Sequence, residues 1–120
     1  MPHERILSAS NAALLVVDVQ EAFRGAIPDF SLVASRISIA VRSFQELNIP
    51  IIVTEQYPKG LGNTAEEIEL VLPDDAPRFE KSTFSSCGAA GFVRALRERN
   101  IEQVAVCGIE AHYLREPDRS

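Results

Sequence analysis

An aspartate, a lysine and a Gly-Ile-Glu-Ala-His run carry most of the chemical promise of this 120-residue chain. Asp18 closes the apolar run Ala12-Ala13-Leu14-Leu15-Val16-Val17, and a carboxylate there either exchanges protons with a ligand or simply caps and solvates a loop. Lys81 lies in Glu80-Lys81-Ser82-Thr83-Phe84-Ser85; on its own a lysine is usually a surface cation, so only that setting singles it out. Gly108-Ile109-Glu110-Ala111-His112 follows a second apolar stretch and offers one carboxylate and one imidazole. Of the two thiols, Cys107 sits within Val104-Ala105-Val106-Cys107-Gly108 and reads as a small buried hydrophobe. Cys87, in Ser85-Ser86-Cys87-Gly88, suits incidental reactivity better than catalysis, because nothing aims it at Asp18. A zinc site needs three or four ligands, and beyond Glu110 and His112 the sequence offers only His3 as a further histidine, so no metal and no cofactor is expected. Gly60 and Gly62 are not followed by the Gly-Lys-Ser/Thr of a phosphate loop. Their expected role is a turn that presents Tyr57 and Leu61 to a substrate or a neighbouring subunit.

The elements that must position these groups alternate between strand and helix. Ala12 to Asp18 is a continuous apolar run of the kind found in a parallel strand buried on both faces. Ser31 to Leu47 repeats apolar residues at helical spacing (Leu32, Ile37, Val41, Phe44), with Ser31 as N-cap and Asn48-Ile49-Pro50 as the stop. Ile51-Ile52-Val53-Thr54 reads as a second buried strand, followed by a loop from Glu55 to Gly62. Thr64 is placed to cap a short helix running to about Leu72, with Glu67 at the capping-box position. Arg78 to Ser82 is a weakly patterned third strand. A third helix spans about Gly91 to Asn100, and Gln103 to Cys107 forms the fourth strand. This alternation predicts an α/β fold: a three-layer α/β/α, Rossmann-like open parallel sheet with right-handed crossovers, built as one domain over residues 1–120. Ligands of such sheets bind beyond the carboxyl ends of the strands, which makes Gln20, Phe23, Gln56, Tyr57, Glu110 and His112 the candidate substrate-binding residues.

The bulk numbers narrow the class of partner. A net charge of -5, with twelve basic residues scattered among seventeen acidic ones, argues against nucleic acid, whose phosphates are met by clustered Lys and Arg. No run reaches the roughly 18 apolar residues needed to span a bilayer, and the N-terminus lacks the apolar core of a signal peptide. A cytoplasmic location is the default expectation, with both cysteines as free thiols.

Taken in order, Asp18-Val19-Gln20, Thr54-Glu55-Gln56-Tyr57-Pro58-Lys59-Gly60-Leu61-Gly62, Glu80-Lys81-Ser82-Thr83-Phe84-Ser85 and Gly108-Ile109-Glu110-Ala111-His112 resemble the isochorismatase-like cysteine hydrolases over about residues 14–112. The Tyr-Pro-Lys-Gly-Leu-Gly loop looks most like members without a nicotinamidase-type metal site. The resemblance implies hydrolysis of a small amide or related small-molecule substrate through a cysteine acyl intermediate. It further implies Asp18 as proton shuttle and Lys81 as the cation that lowers the thiol pKa. The family's cysteine stands two residues past the histidine of the last motif, and that position here is Leu114.

The tail Tyr113 to Ser120 carries four charges and a proline, in place of the helix and two further strands with which the family continues. The expectation is therefore a truncated or frame-shifted family member with about four of six strands and little or no activity. Two alternatives stand beside it: a non-catalytic binding module that keeps the pocket, and a cysteine-independent enol-ether hydrolase using Asp18 and Lys81. Sheet order 3-2-1-4 would leave strand four as an edge, with Val104 and Val106 inviting homo-oligomerisation or aggregation.

Overall fold

The computed structural model describes residues 11–81, 94 and 96–109, with the side chain of Lys81 excepted. Strand β1 (Ala12–Val17) is buried along nearly its whole length, as its unbroken apolar sequence requires. It pairs in parallel with β2 (Ile51–Gln56), Leu14 opposite Ile51 and Val17 opposite Thr54. On its other side β1 pairs with β4 (Gln103–Gly108), from Ala12 opposite Gln103 to Val17 opposite Gly108. Strand β3 (Arg78–Lys81) adds to β2, so the sheet order is β3-β2-β1-β4, the order that the family resemblance implies.

Between the strands lie a 3-10 turn (Glu21–Phe23), the long helix α1 (Phe30–Glu46) and two single turns, α2 (Pro58–Leu61) and α3 (Glu66–Glu69). Helix α1 buries Phe30, Ala34, Ile37 and Val41, the single stripe that spacings of three and four residues produce. Together with Leu14, Val16, Ile51, Val53 and Ile68 these side chains form the larger core, on one face of the sheet. The opposite face buries Ala13, Leu15, Ile52 and Ile101, with Phe79 and Leu96 packed against them. Strict alternation along β4 sends Ala105 and Cys107 to the larger core. Val104 and Val106, on the other face, remain 36% and 54% exposed. Among the described residues β4 has no second strand partner.

Several local readings shift. Asp29 takes the N-cap position of α1 and Ser31 lies inside the first turn, where its Oγ accepts from Arg24. Helix α3 opens after Ala65; Thr64 gives its donors to Glu55 and so does not cap it. The segment after β2 is one turn of helix with Pro58 at its start, and β2 itself runs two residues further than expected, through Gln56. Of the third expected helix, Arg94 and Leu96 to Glu98 are helical, and the remainder before Arg99 lies outside the described residues.

Helix α1 stops in a Schellman turn. Asn48 adopts a left-handed backbone (φ 62°), its N–H donates to the Gln45 carbonyl, and the Ile49 N–H donates to the Phe44 carbonyl at 2.9 Å. The same geometry recurs before β4: Asn100 has φ 60°, its N–H reaches Arg97, and the Ile101 N–H reaches Leu96 at 3.0 Å. Asparagine tolerates this conformation better than other residues with a Cβ. In each turn the isoleucine that follows is buried, Ile49 at 4% and Ile101 at 9% exposure.

Candidate functional site

Sheet order reverses beside β1, because β2 and β3 lie on one side of it and β4 on the other. A crevice for ligands in open α/β sheets opens at such a reversal, beyond the strand ends. Asp18 is the first residue past β1 and has a left-handed backbone (φ 52°). For a residue with a Cβ that conformation costs about 1–2 kcal/mol, less for an aspartate whose carboxylate hydrogen-bonds nearby, and surrounding contacts hold it. Thr54 supplies two of them: its carbonyl accepts the Asp18 N–H at 3.0 Å, and its Oγ1 donates to Asp18 Oδ1 at 2.8 Å.

The chain beyond Asp18 is braced by the segment that follows α2. Val19 is fully buried and its carbonyl accepts the Ala65 N–H at 2.7 Å; the Glu21 N–H donates to Asn63. Gln20, with no exposed surface, forms an isolated antiparallel bridge with Thr64. Its side-chain amide is used completely by backbone. Nε2 donates to the carbonyls of Gln56 (2.9 Å) and Gly62 (2.8 Å), while Oε1 accepts the Gln56 N–H (2.8 Å). Gln20 therefore fastens the ends of β1 and β2 to the Gly62 loop. Gly62 itself needs a residue without a Cβ, with φ at 82°.

Two charged groups, Glu55 and Arg24, lock the same loop. The buried Glu55 carboxylate accepts both the N–H and the Oγ1 of Thr64 at 2.8 Å, with Arg78 3.6 Å away. Arg78 in turn grips Glu69, which raises its pKa further. Arg24 clamps Glu21 and Glu67 with paired hydrogen bonds of 2.7 to 3.1 Å and stacks 4.8 Å from the Phe30 ring. The Arg24 guanidinium holds both carboxyls below their ordinary value of 4.5; at Glu21 the Glu66 N–H adds to the effect.

The expected site residues divide into groups. Asp18, Gln20, Gln56 and Tyr57 meet at the adjoining ends of β1 and β2. Tyr57 has a left-handed backbone (φ 43°), is 54% exposed, and lays its ring against Gly60, leaving no room for a Cβ there. Lys81 ends β3 opposite Gln56, two strands from Asp18, about 10 Å by the usual inter-strand spacing. Phe23 is half-buried and packs against the larger core. Glu110, His112, Leu114, Cys87 and His3 lie outside the described residues. Thr54, Glu55 and Arg24 received no role from the sequence. A hydroxyl and a carboxylate closing a buried β-branched strand were the available signal for the first two.

Cys107 lies on β4, half-buried, and desolvation raises its thiol to about 11. It is therefore a neutral thiol near pH 7, as the apolar setting suggested. Among the described residues no three His, Cys, Asp or Glu side chains gather as metal donors, and no helix is long and apolar enough to cross a membrane.

The isochorismatase domain model matches residues 12–113. The chain belongs to the isochorismatase family. Isochorismatase domain-containing protein 2 of Danio rerio is 38% identical over 107 residues, covering 88% of this chain and 52% of the relative. Isochorismatase family protein 1A of Dictyostelium discoideum is 33% identical over 110 residues, covering 88% and 53%. The chain thus spans about half the length of the curated relatives it matches. Among solved isochorismatase-like structures, a MAR1 ribonuclease from Caenorhabditis elegans superposes with a TM-score of 0.72 at 35% identity, covering 88% of this chain and 54% of that one. The YcaC gene product of Escherichia coli, an octameric hydrolase of unknown specificity, reaches a TM-score of 0.66 at 24% identity, covering 86% and 52%, a likeness of fold.

Proposed function

We propose that this isochorismatase-family chain carries a small-molecule site of the hydrolase type centred on Asp18, and that it forms no cysteine acyl intermediate. The observation that carries the reading is the Asp18 carboxylate held in a strained left-handed conformation by Thr54 at the sheet's reversal point. Strain of this kind persists only where neighbouring contacts impose it, and it gathers at functional sites. Position 114, where the family's nucleophile is expected, holds leucine, which has no reactive atom. The Cys107 thiol, raised to about 11, is no substitute, because the thiolate is the attacking species. Lys81 is the candidate cation of the site, and Gln56, Tyr57, Phe23, Glu110 and His112 are candidate ligand contacts. Gln20 is reassigned to support, since backbone groups occupy its amide. The acidic net charge of -5 supports a small molecule over the RNA that the name of the Caenorhabditis elegans relative suggests.

Purified chain is offered isochorismate and a panel of small amides, with binding read by thermal shift and covalent adducts by intact mass. Binding that disappears in Asp18→Ala, with no acyl adduct, is the expected result. An adduct on either cysteine, or binding indifferent to Asp18→Ala, overturns the reading.

A second reading, cysteine-independent enol-ether hydrolysis, is favoured by the way Thr54 of β2 holds Asp18 at both its N–H and its carboxylate. It requires product release from isochorismate that is lost in both Asp18→Ala and Lys81→Ala. Self-association through the β4 edge is proposed alongside, on the exposure of Val104 and Val106. Sedimentation that shows only monomer at every concentration tested would rule it out.

A further inference from the structure

We infer that Thr54 is the positioning residue of the site: it turns the Asp18 carboxylate from one face of the sheet to the other and fixes it there. This inference rests on the Asp18-centred site proposed above. Side chains alternate along a strand, and in β1 Leu14 and Val16 face the larger core while Ala13 and Leu15 face the opposite side. An extended residue 18 would continue the Leu14–Val16 series, toward α1. Thr54 belongs to the other side, in phase with Ile52 on β2. The hydrogen bond of 2.8 Å between Thr54 Oγ1 and Asp18 Oδ1 therefore joins residues that regular alternation would keep on opposite faces.

The left-handed backbone of Asp18 is what reconciles the two. With φ at 52° the chain swivels out of the strand, and the carboxylate comes round to Thr54. Thr54 grips the swivel at both ends, accepting the Asp18 N–H on its own carbonyl and donating its hydroxyl to the carboxylate. Threonine suits the task. Its β-branch restricts χ1 within a strand, and Thr54 is only 6% exposed, so the hydroxyl is aimed before any ligand arrives. Valine keeps the shape and removes the donor; serine keeps the donor and loosens the rotamer.

The test compares Thr54→Val and Thr54→Ser with the unmodified chain, all labelled with 13C at aspartate carboxyls and with the Asp18 signal assigned through Asp18→Asn. The Asp18 carboxyl resonance is expected to move in Thr54→Val and to return most of the way in Thr54→Ser. Thr54→Ala replaces the valine variant should the latter not fold. In the isochorismate binding assay, affinity is expected to fall about tenfold or more in Thr54→Val, equivalent to about 1.4 kcal/mol, and to recover in Thr54→Ser. A carboxyl resonance unchanged by removal of the hydroxyl, or one that moves equally in the serine variant, overturns the inference. Because the resonance is read without ligand, a failure of the Asp18 site to bind isochorismate is a separate result that bears on the proposed function alone.

Discussion

Replacing Gln20 by leucine separates a ligand contact from a structural fastening. The substitution keeps the volume near enough for a fully buried position but deletes three hydrogen bonds, to the Gln56 N–H, the Gln56 carbonyl and the Gly62 carbonyl. Leaving a buried backbone group without a partner costs about 1–3 kcal/mol, and the three losses share one loop, so they do not add in full. A net loss of about 2–4 kcal/mol follows, a large part of the roughly 5–15 kcal/mol that holds an ordinary domain together. Urea unfolding followed by circular dichroism measures it as a lower midpoint at unchanged slope. Gln20→Glu is the companion variant: a carboxylate can still accept the Gln56 N–H, yet it has nothing to donate to two carbonyls and carries a buried charge. It should unfold at least as easily as Gln20→Leu. A Gln20→Leu loss below about 0.5 kcal/mol, the scale of an ordinary surface substitution, would refute the reasoning. Unchanged stability with lost ligand binding would return Gln20 to the ligand contacts.

The remaining predictions concern the frame around the site. Gly108→Ala would set a Cβ 2.6 Å from the Val17 carbonyl oxygen, so β4 must move off β1, at about 1–3 kcal/mol in the same unfolding assay. Glu21 and Glu67 have pKa values lowered by Arg24, so the stability they contribute is complete above their ordinary value of 4.5 and drains away as pH falls through their lower folded values. Melting temperature against pH should show this loss, and Arg24→Ala should matter less at pH 3 than at pH 7. Cys107, raised to about 11 by burial, should resist alkylation at pH 8 in the folded chain and react once urea unfolds it.

What the sequence made legible follows from the strength of each local signal. Unbroken apolar runs gave β1 and β2, and the three-and-four spacing gave α1, because burial on both faces or along one stripe leaves little choice of period. Helical crossovers imply parallel strands, whereas the order β3-β2-β1-β4 came with the family resemblance of the strand-end motifs. The caps were harder to read. Ser31 and Thr64 have the right side chains, but both were claimed by partners distant in sequence or across a loop, Arg24 and Glu55. Such competition between local and tertiary hydrogen bonds leaves no trace in a short window of residues. Position and motif single out Asp18, whereas Thr54 carries no such signal, because the role proposed for it arises from a left-handed backbone angle at a neighbouring strand's end. Gln20 was drawn toward the ligand for want of any sign that two carbonyls and an amide would surround it.

The paired turns at Asn48-Ile49 and Asn100-Ile101 bear on how this chain can change length. Each delivers one of the two strands that flank β1, and each seats its isoleucine in the core two residues before the strand begins. Deleting a single residue between isoleucine and strand would slip that strand by one position and reverse the face of every side chain along it. Insertions and deletions are therefore excluded from these helix-to-strand junctions. They can be absorbed on the outgoing strand-to-helix side, for instance around exposed Gly25 and Ala26, where an added Cβ at Gly25 would meet nothing within 4 Å. The chain reads as two fixed helix-to-strand junctions, with slack left to segments such as Gly25-Ala26 that lead from a strand into a helix.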